Sequence, residues 1–237
     1  MSGEDSVTYP IIPVDAIDSL SDYDETVIPP LWFSIPETFH ALPLADSPEE
    51  RARLAAEFVR ECFPNGDEES WAPVAAFYGE LAEMMTVVGG IAYSAIGLFA
   101  IEEGIAHCSL AVAAVPSGHT DPEVAAQGIR ATLASEPGND VRWVDLPCGP
   151  TVSCISVREV TFGPDITKSG EPISFNSGQI QVHIPFPTGP YTAVFTLDTS
   201  ALKYFGEFCD IAAAILRTVS FAEPEENEEN EENRAAE

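Results

Sequence analysis

Lysine is almost absent from this chain: only Lys168 and Lys203 occur among 237 residues. Lysine and arginine together number 10 against 39 acids, for a formal net charge of -29 at pH 7. A body this acidic repels phosphate backbones and anionic headgroups, so no nucleic acid partner is expected and anionic lipid is a poor one. Cysteine is scarce as well. Cys62, Cys108, Cys148, Cys154 and Cys209 are odd in number and widely dispersed, which suits free thiols in a reducing compartment. The opening "MSGEDSVTYP" has neither the basic segment nor the apolar core of a signal peptide, so a cytoplasmic location is expected. Also missing are the glycine fingerprints of dinucleotide and phosphate loops and the G-x-S-x-G of a nucleophile elbow. No cofactor is expected.

One apolar run is long enough to raise a membrane span. "MMTVVGGIAYSAIGLFAI", residues 84–101, contains no charged side chain. Its Gly89-Gly90 pair breaks the helical pattern that leads into it, and "EEG" then separates "IAYSAIGLFAI" from a second apolar run, "IAHCSLAVAAV". Two apolar runs about one tight turn describe a β-hairpin. Glu80, Glu83, Glu102 and Glu103 also flank the run where basic or aromatic anchors would be needed. The stretch therefore reads as the end of a helix and the first strand of a buried hairpin, with no membrane insertion.

Elsewhere the punctuation is clear. "SPEE" starts a helix with Ser47 as cap, Pro48 in the first turn and Glu50 closing a capping box. A second helix is predicted from about Ser70 to Val87, and a third after the Asp121-Pro122 start. Strands are predicted at 141–147, 151–163, 178–187 and 191–199, the third with Ile180, Val182, Ile184 and Phe186 facing inward and Gln179, Gln181 and His183 outward. A final helix carries Leu202, Phe205, Cys209, Ala212 and Leu216 at helical spacing. Strands joined mostly by tight turns imply an antiparallel sheet with helices covering it, an α+β class. Residues 1–26 hold seven acids and no Lys or Arg and read as an acidic flexible arm. Residues 222–237 hold eight acids and Arg234 and read as a disordered tail. Between them, 27–221 form a single domain. "VIPPLWFSIP" at its start suits an edge strand, where proline is tolerated.

Candidates for chemistry are few. Cys148, in the turn "LPCGP", is the candidate reactive thiol, although no neighbouring base lowers its pKa. Cys148 and Cys154 lack zinc-knuckle spacing, His107 and Cys108 alternate faces of a strand, and no metal site is expected. "DSLSDYDE" (18–25) resembles a calcium loop but lacks its glycine and terminal glutamate. Ser94 and Ser109 fall inside strands and read as core residues. Asp145, Glu159 and Asp198 lie in or beside strands, where an acid–base role and a strand-end role are equally compatible with the sequence.

Some segments resemble a known family. "TAVFTLDTSALKYFGEFCDIAAAILRTVSF" looks like the closing strand, helix and exit of small actinobacterial proteins with a Mog1/PsbP-like α/β/α sandwich. "PETFHALPL", "SPEERARLAAEFVRECFP" and "DLPCGP" are similar to segments of the same streptomycete-type family, over about residues 31–221. The chain departs from that pattern in lacking a tryptophan near Tyr204 or Phe205. The resemblance implies an antiparallel sheet between helices and the work of an accessory factor; it assigns no catalytic residue.

The resulting expectation is a non-enzymatic cytoplasmic binding module, adaptor or chaperone-like, whose acidity selects a basic protein partner. Its contact patch is expected around Trp32, Phe33, His183 and Phe186. One alternative is a small-molecule-binding or hydrolytic protein with a pocket between sheet and helices, lined by His183, Glu159 and Asp198. Another is a structural subunit of a larger assembly.

Overall fold

The computed structural model describes residues 7–11, 30–42, 44–45, 47–88, 91–102, 104–162 and 170–223. The chain begins with strands β1 (Val7–Ile11), β2 (Leu31–Ile35) and β3 (Phe39–Ala41). Helices α1 (Pro48–Cys62) and α2 (Glu68–Val88) follow, then β4 (Ile91–Ile101) and β5 (Gly104–Pro116). After α3 (Pro122–Ala134) come β6 (Asp140–Leu146), β7 (Gly149–Phe162), β8 (Ile173–Pro185) and β9 (Tyr191–Thr199). A 3-10 turn, Leu202–Tyr204, leads into α4 (Phe205–Arg217).

Local chemistry explains the boundaries. The Ser47 hydroxyl accepts from the Glu50 amide, and the Asp121 carboxylate accepts from the Glu123 and Val124 amides. The second helix starts two residues earlier than its apolar stripe suggests. Asp67 and Ser70 cap it reciprocally, the Ser70 amide donating to Asp67 at 3.0 Å and the Asp67 amide to the Ser70 hydroxyl at 2.9 Å. The run of residues 84–101 divides as its glycines suggest, with α2 ending at Val88, β4 starting at Ile91 and Gly89-Gly90 outside the described residues. Among the described residues no helix is long and apolar enough to cross a membrane.

Seven strands form one antiparallel sheet in the order β3-β4-β5-β9-β8-β7-β6. One face is the main core. Ile180, Val182 and Ile184 of β8, Phe195 and Leu197 of β9, and Leu110 and Val112 of β5 pack there with Phe208, Ala212, Ile215 and Leu216 of α4. β2 packs on the same face and pairs with β1. On the other face Phe58 of α1 and Tyr78 and Leu81 of α2 cover Ile96 and Leu98 of β4. There α3 covers β6–β8, burying Val152 and Cys154 of β7 beneath Ala125 and Ala126. The result is a sheet with helices on both sides.

Two of the expected contact residues are core. Phe33 is 1% exposed, its ring edge-on to Tyr93 at 5.4 Å and to Phe195 at 5.3 Å. Phe186 is 2% exposed and lies against Phe221 at 4.9 Å. Trp32 is half-buried, and its backbone pairs in both directions with Ser220 at 2.8 and 2.9 Å. The patch around Trp32-Phe33 and Phe186 is therefore corrected: an apolar strand that read as an edge is roofed by the chain leaving α4. Within the stretch read as an acidic arm, Val7–Ile11 pair with β2; residues 1–6, 12–29 and the tail 224–237 lie outside the described residues.

Replacing Phe33 by alanine removes an aromatic wedge from the centre of this core. Urea denaturation followed by far-UV circular dichroism should show a loss of about 3–5 kcal/mol, whereas a surface residue at this position would give a change near zero.

Candidate functional site

The face of the sheet opposite α4 carries a polar strip between the two helical covers. Strand alternation places Gln179, Gln181 and His183 of β8 there, beside Thr196 and Asp198 of β9 and Ser109 and Ala111 of β5. All are half-buried, and the β5 members are small. The Gln179 amide nitrogen donates to Asp198 Oδ1 at 3.0 Å, and Gln181 Oε1 lies 3.1 Å from His183 Nε2.

Burial pushes the Asp198 carboxyl above its usual range, against the pull of the Gln179 amide and the Arg158 charge. Burial pushes His183 down to about 4, so its ring is neutral at pH 7. These two groups do not converge. Asp198 lies opposite Gln179 and His183 opposite Val194, about 13 Å apart along the strands. Glu159 sits on the other face of β7, exposed and opposite Asn176. The trio expected to line one pocket is thus split in register and in face. Asp145 is held locally, accepting from the Trp143 indole at 2.9 Å.

The thiols are quiet. Cys148 is half-buried in the turn between β6 and β7, and burial raises its pKa. Cys62 and Cys108 are pushed up to about 12, chiefly by burial. Among the described residues no group of three or more His, Cys, Asp or Glu is gathered as metal ligands would be. The calcium-like stretch 18–25 lies outside the described residues.

A different feature emerges where the pairing of β9 ends. β9 pairs with β5 only as far as Asp198 opposite Ser109, and with β8 only as far as Thr199 opposite Gly178. Beyond that point Gly104–Cys108 of β5 and Ile173–Ser177 of β8 continue as the inner edges of two hairpin arms. With neighbouring strands ~4.8 Å apart, β5 and β8 stand about 9.6 Å apart where the pairing of β9 ends.

Side chains tie the strands together there. Thr199 Oγ1 donates to the His107 carbonyl at 2.7 Å, and Ser177 Oγ to the Thr199 carbonyl at 3.2 Å. The chain then drops out of the sheet beneath β8. A Cβ on Gly178 would come within 2.5 Å of the Phe205 ring and 2.9 Å of Leu202, so only glycine admits this close crossing. The arms expose aliphatic side chains, Ile105 at 62%, Ile173 at 51% and Val157 at 60%. Sequence reading missed the full length of β8 because it started that strand at residue 178, where β9 supplies the pairing; the segment before it, from Ile173, lacks the strong alternation of the later part.

Comparison of the chain with protein families, with curated proteins and with solved structures finds no match.

Two outcomes follow. As pH falls below about 6.5, the unfolded chain protonates His183 before the native one does, so stability drains away down to about 4. Asp198 acts with the opposite sign, because its raised native pKa costs stability above the unfolded value and the cost is relieved in acid. Urea titrations between about pH 7 and pH 5 should therefore show a flatter acid limb for His183→Gln, by on the order of 1–3 kcal/mol. Asp198→Asn should gain stability at neutral pH. Separately, alkylation of Cys148 by iodoacetamide at neutral pH should run slower than that of free cysteine; an equal or faster rate would restore it as a reactive thiol.

Proposed function

We propose that this chain is a non-enzymatic cytoplasmic protein-binding module, an adaptor or chaperone-like accessory factor that selects a basic partner. The observation that carries this reading is the exposure of Ile105, Ile173 and Val157 on hairpin arms of a strongly acidic molecule. Exposed aliphatic side chains favour contact with another chain, and surrounding charge of one sign selects its complement. The sheet between helical layers is compatible with a Mog1/PsbP-like α/β/α sandwich, and the accessory roles of that fold agree with the proposal. Trp32 and His183 keep smaller parts in it, Trp32 at the margin of the core and His183 on the polar strip.

A photo-crosslinking side chain installed at position 105 tests the reading in native cells. A discrete basic protein should be captured from position 105 and not from position 124, an exposed site on α3. No discrete capture from any exposed position would sink the binding-module reading.

A further inference from the structure

The fold leaves α2 apolar on its outer side as well as its inner one. Trp71, Val74, Tyr78 and Leu81 turn inward to the cluster of Phe58 and Ile96. The other side carries Ala72, Pro73, Ala76 and Phe77, all exposed, with Phe77 at 49%. A helix apolar all round is ordinarily covered all round. A groove of about 370 Å³ runs between α1 and α2, with Ala52, Ala75, Ala76 and Gly79 in its lining and Glu80 and Glu83 beside them. Gly79 has no packing reason to be glycine. A Cβ there would meet only the Ala55 methyl, at 3.9 Å, which is an ordinary contact. Glycine inside a helix is destabilising relative to alanine, so the fold forgoes helix stability where the groove needs room.

We infer that this groove seats a helix of a basic partner, with small and aliphatic side chains over Ala76 and Gly79 and lysine or arginine beside Glu80 and Glu83. This rests on the protein-binding reading and gives it a surface separate from the hairpin arms. Two packed helices offer a furrow that a third fills with its own ridges of side chains, and small residues let the axes come close. An extended segment gains less there, because backbone groups within a helix interior are already bonded to one another. The charge of the partner follows from the lining. Glu80 and Glu83 are exposed, and the last turn of α2 holds no basic residue. Arg51, the base in the lining, is buried and donates to the Ala45 carbonyl at 2.7 Å. Arg53, the next base along α1, is held by Glu50 and Glu57 at 2.6 Å each. A lysine brought to the groove therefore meets carboxylates with little opposing charge. A second copy of the chain is the wrong occupant, since each copy carries a net charge of -29.

The test uses the full chain and a fluorescent helical peptide with alanine and leucine on one face and lysine on its flanks, beside a counterpart with glutamate in place of lysine. Anisotropy should show binding of the lysine peptide alone, weakened by salt and by about tenfold in Gly79→Leu and in Ala76→Arg. Ala76 is exposed, and leucine favours a helix over glycine, so both variants keep the fold, which circular dichroism checks. Val124→Arg, at an exposed position on α3, should bind as the parent does. The inference is overturned if the lysine peptide does not bind, or if it binds both groove variants as tightly as the parent. It is equally overturned if the glutamate peptide binds as well, or if sedimentation shows a dimer that Ala76→Arg dissociates. A partner crosslinked from position 105 and not from position 76, together with peptide failure, would leave the binding module standing and remove the groove. Peptide failure with no capture from any exposed position would remove both.

Discussion

The width of the sheet is the constraint from which the remaining architecture follows. Seven strands at ~4.8 Å spacing span about 29 Å, whereas a helix with its side chains is about 10–12 Å across. One helix cannot cover the apolar face. α4 protects the middle strands, and β2 supplies the rest, with Leu31, Phe33 and Ile35 directed into the same core. Phe33 stands at the seam, touching Tyr93 from β4 and Phe195 from β9. The opposite face is covered in two separate pieces, the α1–α2 hairpin at one side and α3 at the other. Its centre is left to small and polar side chains that tolerate partial hydration.

Much of this was legible because the relevant forces are local. Ser47-Pro48 and Asp121-Pro122 announce helix starts through cap geometry, and Ile180, Val182 and Ile184 declare their face by alternating with Gln179, Gln181 and His183. Gly89-Gly90 and the Glu-Glu-Gly turn were enough to separate a hairpin from a span. The misreadings share one cause. Phe33 and Phe186 look like candidates for exposure until Val219, Phe221 and the Ser220 backbone are seen to return over them. Nothing within ten residues of either signals that return. The distance between His183 and Asp198, and the turning of Glu159 to the other face, likewise depend on pairing register, which one strand's sequence does not contain.

The candidate surface is tied to the same topology. β9 could run on as far as β5 and β8, which continue beyond its end. Thr199 ends it instead, bonded to β5 on one side and to β8 on the other, and Gly178 permits Phe205 to cross close beneath. Turning the chain into α4 at this point does two things at once. It delivers Phe208 and Ile215 to the core and ends the pairing of β9 with β5 and β8.

The Ser34 amide donates to the Thr218 hydroxyl at 2.9 Å across 184 residues of chain, beside the Trp32–Ser220 pairing. During synthesis this closure must wait until α4 and the residues after it have emerged. Until then Leu31, Phe33 and Ile35 have no lid, and the partly made chain presents an apolar strand to its surroundings. At synthesis rates of about 5–20 residues per second, that interval lasts on the order of ten seconds or more. The abundance of carboxylates has a second use over that interval, because like charge keeps neighbouring nascent chains apart while the core is still open.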